Sequence, residues 1–215
     1  MSATNNLVNN EYTDVMLNRH SVRKFQKDVK ISRDEIMDML KEATTAPSAC
    51  NLQSWHFVVC DDEEGMKKAR SVMMPFNYPQ CDTSSAVIFI LGDTQSHLKY
   101  RDVWNKACED GRITPEKRDE IFNTFLPLYE HADRSFLEKD ATIDASMVAM
   151  QLLLAIRAHG YEANPMAGYY PDKIAETLGL DKERYIPVEA IALGKSDETP
   201  LESVRYDVKE LTDFC

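Results

Sequence analysis

Apolar positions along the chain follow two rhythms. Ile36, Met39, Leu40 and Ala43 recur at i, i+3, i+4 and i+7, the spacing of one helical face. Ahead of them Ser32-Arg33-Asp34-Glu35 has the form of a capping box, and Pro47 is a stop signal, so a helix is predicted to run to about Thr45. Tyr12, Val15 and Met16 predict an earlier helix within 10–18, ending near Arg19. The other rhythm belongs to strands. Trp55–Cys60 (WHFVVC) is aromatic and β-branched, and Ala86–Leu91 (AVIFIL) is a continuous apolar run that predicts a strand buried on both faces. Helices are predicted over 62–72, 95–109 and 115–131, the last entered through Thr114-Pro115.

The stretch from Leu137 to His159 predicts the longest helix, with Gly160 ending it. From Met147 to Ile156 it reads MVAMQLLLAI, apolar nearly all round, which predicts burial on every side, in the core of the domain or of a dimer. A short helix at 171–178 and a strand at 187–193 follow. Helices dominate over four or five short strands, so the class is α+β.

Composition narrows the function classes. A chain of 215 residues can bury a core without disulfide or metal support. Acidic residues number 36 against 25 basic, a net charge of −11, which predicts no general affinity for nucleic acid. No uninterrupted apolar run reaches the ~18 residues of a membrane span. Cys50, Cys60, Cys81, Cys108 and Cys215 are odd in number, widely spaced and without a CxxC pair, against a disulfide framework or a zinc site. The opening MSATNNLVNNEYTD has no basic or apolar signal-peptide region. The expectation is a reduced, cytoplasmic protein with no metal.

Two segments carry candidate chemistry. Arg19-His20-Ser21-Val22-Arg23 places two guanidiniums and a hydroxyl where the chain leaves a helix, a set that can fork onto phosphate oxygens. The same cluster also suits a solvated basic turn or a C-terminal helix cap. Ala46 to Phe57 supplies small residues, a hydroxyl and the Asn51 and Gln53 amides. These suit the edge of a planar heteroaromatic ligand, or an ordinary loop held by its own side chains.

Taken together and in order, these segments resemble the nitroreductase family of flavin-dependent oxidoreductases. That family's opening R-[RH]-S-x-[RK] segment corresponds to Arg19–Arg23. Its P-S-x-x-N-x-Q-P-W segment corresponds to Pro47–Trp55, with Ser54 where proline is usual. Asn164-Pro165-Met166-Ala167-Gly168-Tyr169 resembles a family turn after the long helix. Ile191-Ala192-Leu193-Gly194, followed by Arg205, resembles the family's closing strand and tail.

The resemblance implies one nitroreductase-like domain over 1–215. It has a central, mainly antiparallel sheet flanked by helices, a helical insert at about 95–131 near the active site, and a C-terminal extension at about 195–215. It implies an intertwined homodimer. FMN is the implied cofactor and NADH or NADPH the electron donor, with a nitroaromatic, quinone or similar small molecule accepting electrons in a ping-pong cycle. No catalytic side chain is implied, because the flavin carries the chemistry. Arg19, Ser21 and Arg205 would hold the phosphate, with His20 contributing backbone. Arg23 would stabilise the negative charge of reduced flavin at its pyrimidine edge. Pro47, Ser48, Asn51 and Gln53 would line the ring from the partner subunit, and Asn77 would place an amide against it. In the turn Pro165-Met166-Ala167-Gly168, a backbone N–H would face flavin N5. A reductive dehalogenase-like member, a flavin-destructive oxygenase and a non-catalytic flavin-binding or redox-sensing protein share these anchors. A helical interaction module without cofactor is the reading in a different class.

The remaining residues read as structural. His56 fits a core or interface position, and His97, His131 and His159 lie on separate stretches without metal-ligand spacing. Cys50 fits an inert small residue beside the loop, and Asp61 to Glu64 a solvated helix start. Trp104, Phe122, Phe125 and Tyr129 suit either packing within the insert or covering the flavin.

Overall fold

The computed structural model describes residues 7–215. Met1–Asn6, part of the stretch read for a signal peptide and the start of the predicted domain, lie outside the described residues. Four strands, β1 (Trp55–Cys60), β2 (Ala86–Asp93), β3 (Glu162–Met166) and β4 (Tyr185–Gly194), pair antiparallel in the order β1-β2-β4-β3. The helices are α1 (Tyr12–Leu17), α2 (Arg33–Ala43), α3 (Glu63–Val72), α4 (Tyr78–Thr83), α5 (Tyr100–Glu109), α6 (Pro115–Glu130), α7 (Arg134–Ala158) and α8 (Pro171–Leu178).

The centre of the molecule follows from strand periodicity. Every residue of β2 is buried. Its even-numbered side chains, Ala86, Ile88 and Ile90, pack against α2 and α7, while Val87, Phe89 and Leu91 pack against α3 and α8. A two-faced apolar strand can be buried only inside a sheet covered on both sides, as the AVIFIL run predicts.

Helix ends are set by side-chain caps. Ser32 accepts the Glu35 N–H, Asp62 that of Gly65, Thr114 that of Lys117 and Asp133 that of Phe136. At Ser32 the capping box is only half made, because the Glu35 carboxylate instead accepts the Tyr161 hydroxyl at 3.0 Å.

Four expectations need correction. The Asp133 cap starts α7 at Arg134 rather than Leu137. Its burial is also one-sided: Ala141, Ala145, Val148, Leu152 and Ile156 lie in the core, whereas Ile143, Met147 and Met150 are exposed. The helix lies across one sheet face beside α2, and the described residues leave the opposite stripe exposed. By length and composition α7 could cross a membrane, but half of its apolar window is buried inside the protein. Next, the predicted helix at 95–109 is a 3-10 turn at Ser96–Lys99 followed by α5. Finally, Asn164, Pro165 and Met166 belong to β3 rather than to a turn, which begins only at Ala167. Proline fits there because β3 is an edge strand and the missing N–H costs no ladder bond within the sheet.

The helical insert builds a satellite core. Tyr100, Ile121, Leu126 and Tyr129 pack with Leu52 of the loop after α2, and Trp104, Phe122, Phe125 and Cys50 pack against them. The aromatic residues thus lie over that loop. Beyond Gly194 the tail carries a short 3-10 turn at Val208–Leu211, and Leu201, Val204, Tyr206, Val208, Leu211 and Phe214 are all exposed.

Candidate active site

After α1 the chain turns into an extended segment at Arg19-His20-Ser21. Ser21 forms a parallel bridge with Ala163, and the Val22 N–H donates to the Ala163 carbonyl at 3.1 Å. This pins the segment to the edge of the sheet. Arg157 near the end of α7 holds α1 from behind, pairing with Asp14 at 2.9 Å and with Glu162 of β3. Hydrogen bonds from Asn18, Arg157 and Asn9 lower the Asp14 pKa to about 2.

Arg19 and His20 then line a cavity of about 470 Å³ with Met16, Leu17, Glu202, Ser203 and Arg205. The Nη1 of Arg19 is buried and has no hydrogen-bond partner among the described residues. Among the described residues, the Arg205 guanidinium donates to the carbonyl of its neighbour Val204 at 2.9 Å. A buried, unpaired guanidinium nitrogen beside a second arginine is the donor set a phosphate needs. The residues present therefore fit the anionic end of FMN. Ser21 is half-buried at its bridge and does not line this cavity. Arg23 is exposed, and its backbone N–H donates to the Glu198 carboxylate at 2.6 Å.

The second segment lies elsewhere. Pro47, Ser48, Asn51 and Gln53 form the loop between α2 and β1, and none of them lines the Arg19 cavity. The loop is unusual in its backbone. Cys50, Asn51 and Gln53 adopt φ of 50°, 61° and 54°, in the left-handed region. The Ser48 hydroxyl accepts the Gln53 N–H at 3.0 Å, and the Asp144 carboxylate accepts those of Ala49 and Ser54. The Tyr129 hydroxyl reaches Cys50 Sγ at 3.8 Å, and burial pushes the Tyr129 pKa well up.

A third group converges on the turn after β3. Asn77 is 5% exposed, and its amide donates to the Gly168 carbonyl at 2.9 Å. The Met74 N–H donates to the same carbonyl. A Cβ on Gly168 would lie 2.4 Å from the Phe76 ring and 2.7 Å from Asn77 Nδ2, so the packing requires glycine. The structure thus brings Asn77, Ala167 and Gly168 together. Met166 points into the core and is 2% exposed, and Pro165 is half-buried within β3.

The other sequence candidates are accounted for by packing. His56 stacks on Tyr185 with ring centroids 4.7 Å apart. His159 is buried and contacts the Glu42 carboxylate at 3.1 Å. Burial raises the Cys60 and Cys81 pKa values to about 11 and about 12, so both stay protonated thiols at neutral pH. Sequence reasoning missed Asp144 and Ser96. The available signal for Asp144 was a lone carboxylate on the Ala141, Ala145 and Val148 face of α7.

Comparison with known proteins places this geometry. The sequence matches the nitroreductase family over residues 16–195. It is 60% identical over 212 residues to the CLA biosynthesis enone reductase of Lactiplantibacillus plantarum, covering 99% of this chain and 98% of that protein. It is 38% identical over 205 residues to a Bacillus subtilis (strain 168) protein that carries the provisional name NAD(P)H nitroreductase YdgI, covering 95% and 98% of the two. Its fold superimposes with a TM-score of 0.93 on the crystal structure of a provisionally named nitroreductase from Exiguobacterium sibiricum in complex with FMN, at 37% identity and covering 96% and 98% of the chains. The chain belongs to the nitroreductase family.

Proposed function

We propose that the protein is an FMN-dependent NAD(P)H oxidoreductase whose acceptor is an electron-poor double bond conjugated to a carbonyl, with quinones and nitroaromatics in the wider acceptor range. The buried, unpaired Nη1 of Arg19, a residue that lines one cavity with Arg205, carries the cofactor assignment. The acceptor class is supported by 60% identity to an enone reductase along almost the whole chain.

When bound, FMN would supply hydride exchange between a nicotinamide and the acceptor. The chain's own residues bind and orient. Arg19 and Arg205 hold the phosphate, with Ser21 and the His20 backbone beside them. Arg23 contributes positive charge toward the pyrimidine edge. The Ala167-Gly168 turn, held by Asn77, presents backbone N–H groups. Pro47, Ser48, Asn51 and Gln53 line the ring from the second chain of a homodimer, and Trp104, Phe122 and Phe125 exclude water above it. The protein works in the reducing cytoplasm.

Heat-released cofactor from the purified protein should run as FMN on chromatography. NADH or NADPH should bleach the bound flavin anaerobically, and an α,β-unsaturated ketone should restore its colour. A colourless protein, or one carrying FAD, overturns the cofactor reading. Reoxidation by quinones but not by enones overturns the acceptor reading alone.

A further inference from the structure

The loop between α2 and β1 holds Cys50, Asn51 and Gln53 at positive φ, and none of them is glycine. Such backbone is costly and persists only where its surroundings enforce it. Ser48 holds the loop from within through the Gln53 N–H, and a second side chain holds it from outside. Asp144 of α7 is 1% exposed. One of its oxygens accepts the Ala49 N–H at 2.9 Å and the other the Ser54 N–H at 3.2 Å. These two donors bracket the left-handed residues, so the carboxylate spans the mouth of the loop. The Ser54 hydroxyl continues the chain of contacts to the Ser96 hydroxyl, 2.8 Å away at the root of the helical insert.

Packing alone does not call for a carboxylate here. The neighbouring positions on this face, Ala141, Ala145 and Val148, are apolar, and an apolar side chain would avoid the desolvation of a buried charge. Burial pushes the Asp144 pKa up, and the Ala49 and Ser54 donors oppose that shift. Ser54 also stands where the family segment has proline, which offers neither an N–H nor a hydroxyl. The N–H bond to Asp144 and the hydroxyl contact with Ser96 therefore both depend on serine rather than proline at this position.

We infer that Asp144 is a positioning residue. It holds the 49–54 loop in the shape that faces the flavin ring and the acceptor, and through Ser54 and Ser96 it ties that shape to the insert. The inference rests on the FMN reading above.

Asp144→Asn tests it, because the carboxamide keeps one acceptor and turns an NH2 toward the other donor. In FMN-free protein, amide hydrogen exchange at Ala49 and Ser54 should accelerate on the order of tenfold or more. In FMN-loaded protein, the visible flavin band and the reduction potential should shift, and acceptor KM should rise more than kcat falls. Val148→Ala removes core packing one turn along the same helix but none of the hydrogen bonds to the loop, and should leave the band, potential and KM at parent values. Asp144→Asn protein matching the parent in exchange, band and KM overturns the inference, as does Val148→Ala reproducing the shifts. If Asp144→Asn fails to fold, Ser54→Ala keeps the N–H and removes only the hydroxyl link. It should shift KM and loop exchange in the same direction by less, and unchanged values overturn the inference. A parent protein without FMN affinity defeats the functional reading, while the exchange measurement still decides the clamp.

Discussion

Arg19 leaves α1 with one guanidinium nitrogen buried and unpaired, an arrangement that costs energy until an anion enters. Arg19→Ala should therefore remove a charge-assisted bond to the phosphate and weaken FMN binding by about 1.5–3 kcal/mol, as read by fluorescence titration. Unchanged affinity would show that the phosphate lies elsewhere. Gly168 offers a steric test. An added methyl meets the Phe76 ring, which is exposed and can swing away, but it also meets Asn77, which is buried and bonded to the Gly168 carbonyl. Gly168→Ala should lower stability by about 1–3 kcal/mol in denaturant titration, and Phe76→Ala should not restore it. The Arg19–Arg23 cluster stands out in the sequence by its charge, but only the folded chain shows that Arg19 and His20 line the cavity while Ser21 and Arg23 do not. Asp144 was not legible there, since a single carboxylate in an apolar helix declares its partners only when the loop is placed against it.

At the level of elements, the sequence was most informative where one local rule acted alone. AVIFIL became β2, Pro171–Leu178 became α8, and Thr114-Pro115 opened α6. It was least informative where tertiary pairing overrode local preference. Asn164-Pro165 has the composition of a turn, yet β4 recruits it as an edge strand. Pro75 and Pro79 obscured the 3-10 turn and α4 between Pro75 and Thr83. The attachment of α1 has a definite pH dependence. Asp14 is held at about 2 by Asn18, Arg157 and Asn9, below its ordinary 3.8. A carboxyl with a depressed folded pKa contributes stability that is complete above the unfolded value and disappears as pH falls through the folded one. The hydrogen-exchange protection factor over residues 12–18 should thus stay constant down to about pH 4 and fall between 3.8 and 2. Asp14→Asn should remove the step. A step centred near pH 6 would point instead to a histidine.

For the molecule as a whole, the apolar surface is the informative feature. Ile143, Met147 and Met150 on α7 and Leu201, Val204, Val208, Leu211 and Phe214 on the tail are exposed in one chain. The Arg19 cavity draws Glu202, Ser203 and Arg205 from that tail, while the strained loop lies outside it. A homodimer burying more than about 2,000 Å² would cover these surfaces. Sedimentation should show a flavin-loaded dimer, and deleting residues 199–215 should weaken both association and FMN retention; a stable, flavin-loaded monomer refutes this. The strand order carries a further consequence for biosynthesis. β2 ends at Asp93, but its inner partner β4 begins only at Tyr185. A nascent chain on the ribosome therefore presents a largely apolar strand with one open edge until β4 has been synthesised. Such long-range closure is slow and exposes the chain to aggregation. Expression yield should accordingly depend on temperature and chaperone supply more than the stability of the finished protein would indicate.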